Sequence, residues 1–175
     1  MSGHNKYSKI KHIKAKTDAQ KSKVFTKFGR LITVEAKKAN GNLSSPGLKA
    51  VIERAREANM PNETIDRAIK KATDTSAVME AVTYESYGPG GSALIIEALT
   101  DNRNRTAQEV KALLSSHGFE LAAMGSATWA FSKSHEGWTP TTSIPISPED
   151  GAKLEALIEE LEENDDVQEV FTNAE

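Results

Sequence analysis

The chain contains no cysteine among its 175 residues, which excludes disulfides, a thiolate zinc site and a cysteine nucleophile. That absence suits a reducing compartment. No run approaches the roughly 18 apolar residues that a membrane-spanning helix needs, and the N-terminus is too polar for a secretory signal. A cytoplasmic protein with no membrane partner is expected. Histidine is scarce and scattered, at His4, His12, His117 and His135, with no His-Glu-x-x-His spacing and no dense carboxylate–histidine cluster. Glu159, Glu160, Glu162 and Glu163 crowd one helix on or near its solvent face, where they serve solubility rather than acid–base chemistry. No catalytic residue, metal ligand or cofactor is therefore expected, and the chain does not read as an enzyme.

What the chain has is charge sorted by position. Residues 1–38 hold ten lysines and Arg30 against only Asp18 and Glu35. Residues 1–71 hold 17 basic and 6 acidic residues, leaving 5 basic and 19 acidic for the remainder. A basic arm running into a helix, on an acidic body, is the footprint of a polyanion binder. Charge runs are more often merely solvated faces, but this bias is of one sign and confined to one end. Lys6, Lys9, Lys11, His12, Lys14 and Lys16 each offer a donor to phosphate, from an arm expected to be mobile. Tyr7 can stack on a base or tuck onto the helical domain behind it.

Thr17-Asp18-Ala19-Gln20 has the form of a capping box, and the helix it opens is expected to reach Lys38. Val24, Phe25, Phe28, Leu31, Ile32 and Ala36 recur at three- and four-residue steps on one face. Lys23, Lys27, Arg30 and Lys37 fall roughly opposite. Asn40-Gly41-Asn42 stops this helix. Ser45-Pro46 starts a second, with proline at the first position, and Asn62 caps a third whose inward residues are Ile65, Ala68, Ile69 and Ala72. Three helices with facing apolar stripes form a small bundle.

Beyond a polar connection at 74–82 the pattern changes. Ala93 to Leu99 reads as a strand, and Ala107 to Leu114 as a helix closed by Gly118. Ala127 to Phe131 reads as a second strand, and Thr141 to Ile146 as an edge-like third bearing Pro145. Ser147-Pro148 caps a last helix, and Val167 to Thr172 is the final strand. The fold class is thus α+β: an N-terminal three-helix domain with a basic arm (1–75), then a ferredoxin-like β-α-β-β-α-β domain (76–175).

Gly88-Pro89-Gly90-Gly91 fails as a phosphate loop, since no Gly-Lys-Ser/Thr follows and it precedes a strand rather than a helix. A tight turn needing positive φ explains it better. Arg103 and Arg105 lie where a strand passes into a helix, beside N-terminal amides that favour anions. They can grip phosphate, or one can pair with Asp101 or Glu109 to brace the loop.

Several stretches together resemble the YebC/PmpR family, which includes the mitochondrial translational activator of cytochrome oxidase. They are Gly3-His4, Ile10-Lys11-His12, Phe25-Thr26-Lys27, Asn59-Met60-Pro61, Arg67 to Lys71, Tyr87 to Gly91, Thr100 to Thr106, Gly125-Ser126 and Thr172-Asn173. Tyr-Gly-Pro-Gly-Gly followed by Thr-Asp-Asn-Arg-Asn-Arg-Thr at this spacing is highly specific. The resemblance implies a helical N-terminal domain and two α/β domains, one inserted in the other. Only about fifteen residues join the Phe131 strand to the Ser147 cap, so the inserted domain is expected to be absent around 132–147.

The resemblance also implies a non-catalytic role in gene expression, read in the family in two ways. One is a translation factor at the ribosome, including on stalls at proline runs; the other is a DNA-binding transcriptional regulator. On the first reading ribosomal RNA is the partner, bound by Lys6, Lys9, Lys11, His12, Lys14, Lys23, Lys27 and Arg30, with Arg103 and Arg105 second. On the second, the same cations meet DNA phosphates. A third reading, from another class, is a protein-interaction module built on the acidic domain. A monomer is expected.

Overall fold

In the computed structural model, residues 18–74, 78–135 and 137–175 are described. They form two compact units that divide between Glu80 and Ala81. The basic arm, its Tyr7 and the Thr17 cap lie outside the described residues.

The first unit is three helices: α1 (Asp18–Lys38), α2 (Pro46–Glu57) and α3 (Asn62–Asp74). Its core joins Ile32 and Ala36 of α1 to Leu48, Val51 and Ala55 of α2 and Ile65, Ala68 and Ala72 of α3. Ile32, Leu48 and Ile65 are almost wholly enclosed, and each contributes about 1.5–3 kcal/mol by leaving water. Phe25, Phe28 and Leu31 pack at the rim of this core. The Thr33 hydroxyl bridges Gly29 O on its own helix and Ala68 O on α3. α1 ends as its Asn-Gly signal requires: Asn40 and Gly41 take positive φ, and Gly41 N donates to Ala36 O at 2.9 Å. Pro46 occupies the first turn of α2, but the Ser45 side chain makes no capping bond. The Asn62 amide oxygen accepts from Arg56 Nε at 3.1 Å.

The second unit contains β1 (Glu80–Tyr87), β2 (Ala93–Thr100), α4 (Arg103–Ser116), β3 (Leu121–Ala122), β4 (Phe131–Ser134), β5 (Gly137–Pro140), α5 (Pro148–Glu163) and β6 (Val167–Thr172). Four strands form one sheet in the order β3-β1-β2-β6, and β4 and β5 form a separate antiparallel hairpin. On one face of the sheet Leu94, Ile96, Val167 and Val170 meet Val110 and Leu114 of α4 and Leu154, Leu157 and Leu161 of α5. On the other, Ala93, Ile95 and Phe171 meet Ala127, Ala130 and Phe131. With both faces covered, β2 needs apolar residues at nearly every position, which is why Ala93 to Leu99 reads as an unbroken apolar run.

The α+β class and the leading helical region are as expected, while the strand assignments differ in three places. Tyr84 to Tyr87 belongs to a full strand, β1, at the centre of the sheet beside β2. The unit therefore opens β-β-α-β: β2, α4 and β3 form a split β-α-β, and the strand lying between β2 and β3 precedes them in the chain. Polar residues at its buried positions are what hide it. The Ser86 hydroxyl donates to Glu120 O at 2.8 Å, and Glu85 accepts from Ala127 N at 3.4 Å. Second, Thr128 to Ala130 is a 3-10 turn that leads into the β4–β5 hairpin rather than into the main sheet. Third, Thr141 to Ile146 is no strand; a single bridge joins Ile144 to Ala174.

Candidate nucleic-acid interface

Lys6, Lys9, Lys11, His12 and Lys14 lie outside the described residues. Lys23, Lys27 and Arg30 all project from α1, away from the face that carries Ile32 and Ala36. Each is half-buried, not fully exposed. All three have polar or charged partners. They bring cations together along one side of one helix, in a helix whose only acids are Asp18 and Glu35.

α3 is different. Its Arg67, Lys70 and Lys71 are exposed, but Glu63, Asp66 and Asp74 share the helix, and Arg67 Nη2 pairs with Glu63 Oε1 at 3.3 Å. The turn between α2 and α3, residues 58–61, has the length that joins the helices of a helix-turn-helix. Asn59 takes φ 63° there and Met60 N returns to Ala55 O at 2.9 Å. In that motif the second helix reads the groove, yet the net cationic surplus lies on α1.

Arg103 and Arg105 sit at the first turn of α4, where the Asn102 side chain caps the helix by accepting from Arg105 N at 3.1 Å. The Arg105 guanidinium is committed to carboxylates. Its Nη2 lies 2.9 Å from Asp101 Oδ1 and 2.8 Å from Asp166 Oδ2, with Glu109 3.9 Å from Nε. These bonds raise its pKa, the one to Asp166 most. This is the loop brace, one of the two arrangements the sequence allows. Arg103 is exposed, has partners of its own, and lies near enough to Tyr84 to favour the phenolate electrostatically.

Asp166 is the residue that sequence reasoning missed. It is 3% exposed, and besides Arg105 it accepts from the Thr106 hydroxyl at 2.7 Å. The Thr106 and Thr100 hydroxyl oxygens lie 2.7 Å apart, and Asn102 N donates to Thr100 Oγ1 at 2.9 Å. The Thr100-to-Thr106 motif is thus a fastening of β2, α4 and the start of β6. In sequence, Asp166 is one acid in an Asn-Asp-Asp turn, with nothing local to mark it.

The glycine cluster is a turn, as its residues imply. Gly90 and Gly91 take φ of 68° and 75°, and Gly88 N donates to Ser92 O at 2.8 Å. A Cβ on Gly90 would lie 2.6 Å from Ile146 Cγ2, so the turn is also packed from above. Among the described residues no group of three or more His, Asp or Glu side chains could hold a metal ion. No described helix is long and apolar enough to cross a membrane.

Known proteins bear on this arrangement. Residues 5–75 match the TACO1/YebC protein N-terminal domain, and residues 79–137 and 132–174 match the TACO1/YebC second and third domain. A protein of Fervidobacterium nodosum named probable transcriptional regulatory protein is 48% identical over 173 residues, covering 95% of this chain and 68% of that one. One of the same description from Thermoanaerobacter pseudethanolicus is 37% identical over 239 aligned positions, covering 100% of this chain and 97% of that one. The crystal structure of a conserved hypothetical protein from Aquifex aeolicus superposes with a TM-score of 0.84 at 33% identity, over 95% of each chain. With its length matched almost throughout, the chain belongs to the TACO1/YebC family.

Proposed function

We propose that this protein is a non-catalytic, nucleic-acid-binding regulator of gene expression, that its target is ribosomal RNA, and that it acts on translation at the ribosome. The relatives' names support the broader statement, a regulator. The observation that carries the finer one is the placement of charge within the helical unit. Cations gather on α1, while α3, which holds the groove-reading position of a helix-turn-helix, carries as many acids as bases. Contacts made by lysine and arginine along one helix side suit a phosphate backbone and carry no base information themselves. On this reading Lys6, Lys9, Lys11, His12 and Lys14 extend the α1 surface, and Arg103 is a secondary contact. The 239-position alignment against 175 residues supports the absence of the family's inserted domain around 132–147.

A DNA-binding transcriptional regulator is the second reading, favoured by the relatives' names and by the 58–61 turn. Two charge-reversed double variants separate them. Lys23→Glu with Lys27→Glu should abolish co-sedimentation with ribosomes and lower affinity for ribosomal RNA at least tenfold. Arg67→Glu with Lys70→Glu should do neither. Affinity should fall by roughly 0.7 to 0.9 log units per log unit of salt for each phosphate neutralised. Loss of binding in the α3 variant, together with preference for one promoter duplex over a scrambled one, would establish DNA and refute the ribosomal reading.

A further inference from the structure

Among the described residues, large exposed hydrophobic side chains are few, and two of them, Tyr87 and Trp129, meet. Tyr87 ends β1, and Trp129 lies in the 3-10 turn before β4. Their exposures are 38% and 61%. Tyr87 and Trp129 are held in fixed positions despite that exposure. The Trp129 indole N–H donates to the Tyr87 oxygen at 2.9 Å, and the Tyr87 hydroxyl donates to Ser126 O. Both polar atoms are thereby satisfied internally and the rings are left bare. Solvent-facing aromatics pinned in this way form a surface whose ordering cost is met before anything binds.

The unit that carries this ledge is acidic. Residues 81–175 hold 5 basic and 17 acidic residues. Glu85, two residues before Tyr87 and so on the same face of β1, is buried under the ledge with its carboxylate toward Ala127 N. Further across the sheet Glu97 and Glu169 stand directly opposite each other on β2 and β6. The same unit also shows what such a surface holds. Lys133 Nζ lies 4.8 Å from the Trp138 ring centroid and 3.5 Å from Glu97 Oε1, so an indole and a carboxylate grip one cation between them. Trp129 offers a second indole, with no cation over it among the described residues.

We infer that the Tyr87–Trp129 ledge is a docking surface for an arginine-rich segment of a partner protein. Arginine stacks on an aromatic face and is drawn by the unit's negative potential. A nucleic acid could stack its bases on the same rings, but its phosphates would meet the acidic residues. The ligand is therefore of opposite charge to the one proposed for α1.

The test uses the full chain and fluorescein-labelled nonapeptides of arginine or lysine, beside a labelled nine-nucleotide oligouridylate, read by anisotropy. The arginine peptide should bind several-fold more tightly than the lysine peptide. Trp129→Ala should weaken the arginine peptide by about five- to twentyfold with an unchanged circular dichroism spectrum. Tyr87→Phe, which frees the Trp129 indole while keeping a ring, should weaken it by a smaller factor. Equal binding of both peptides, or no change in either variant, would reduce the effect to general attraction by carboxylates and overturn the proposal. If Trp129→Ala weakens the oligouridylate and leaves the peptides alone, the ledge is a base-stacking surface and the proposal falls as well.

Discussion

Removing the Asp166 carboxylate should unfasten the α/β unit, and the size of the effect can be worked from its bonds. Asp166→Ala deletes a buried acceptor that takes the Thr106 hydroxyl at 2.7 Å and Arg105 Nη2 at 2.8 Å. The Arg105 guanidinium is half-exposed and keeps Asp101, so its own loss is small. Thr106 keeps Thr100 Oγ1 at 2.7 Å and Asn102 O at 3.2 Å within reach. What remains is one strong charge-assisted bond in a buried place, worth about 1.5–3 kcal/mol, plus a small cavity. A loss of about 2–3 kcal/mol is expected for alanine, and about half that for asparagine, which keeps the shape and one acceptor oxygen. In a unit of this size, each kcal/mol moves the melting point by about 4–8 °C, so Asp166→Ala should melt roughly 10–20 °C lower. The protein supplies its own reporter: both tryptophans, Trp129 and Trp138, lie in this unit, so tryptophan emission follows its unfolding without contribution from the helices. Asp165→Ala, at an exposed neighbour, is the control. A shift under about 2 °C for Asp166→Ala, or an equal shift in the control, would show that the network does not hold the unit together.

Two further substitutions probe the same unit. The Tyr84 hydroxyl is buried with no hydrogen-bond partner, and burial, the main cause, raises its pKa above the ordinary 10.0, with nearby Arg103 opposing. The folded state then holds this proton more tightly than the unfolded chain does. That contribution is complete below pH 10.0 and is lost as pH rises above it through the raised pKa of the folded state. Tyr84→Phe should therefore be neutral, or stabilising by up to about 1 kcal/mol, and should flatten the alkaline fall in urea midpoints. Gly90→Ala should cost about 2–4 kcal/mol, combining a left-handed backbone with a clash against Ile146. Gly118→Ala, at φ 82° but with nothing within 4 Å of the added carbon, should cost only the backbone part, about 1–2 kcal/mol.

The helices were legible because their signals are local. The Asn40-Gly41 stop, Pro46, Ser147-Pro148 and Gly118 each mark an end through backbone chemistry contained in a few residues. Ser147 Oγ accepts from Asp150 N at 3.1 Å, and Phe119 N closes onto Leu114 O at 2.9 Å past Gly118. β1 was hidden because its pattern carries Glu85 and Ser86 at buried positions, where alternation calls for apolar residues. Their partners come from Ala127 and Glu120, more than thirty residues away. Ala127 to Phe131 looked like a sheet strand because its apolar residues are truly buried, but they cap the open face of the sheet instead of joining it. On α1, periodicity placed Lys23, Lys27 and Arg30 on one side of the helix, but it carried no information on how far each is buried. Arg105 was visible as a cation and Asp101 as a nearby acid. Asp166, sixty-one positions on, decides what Arg105 does.

The commitment of Arg105 also bears on where a polyanion can bind. A helix N-terminus with two arginines in its first turn is, by itself, a favourable place for phosphate. Here Asn102 occupies the α4 cap, and Asp101 and Asp166 neutralise Arg105 at 2.9 and 2.8 Å. A phosphate arriving there would have to displace a buried carboxylate that also holds Thr106, and would meet the repulsion of the acids left behind. The rest of the unit deepens that repulsion, with Glu97 facing Glu169 across β2 and β6. Like charges directly opposite on a sheet destabilise it, so Lys133 and the Trp138 N–H, both on Glu97, offset part of that cost. A unit built this way is a poor competitor for nucleic acid at Arg105. Its own surface chemistry, an exposed indole on an acidic unit, suits a cationic partner. The opposite charges of the two units then favour different classes of ligand, a polyanion on the helical unit and a cationic segment on the α/β unit.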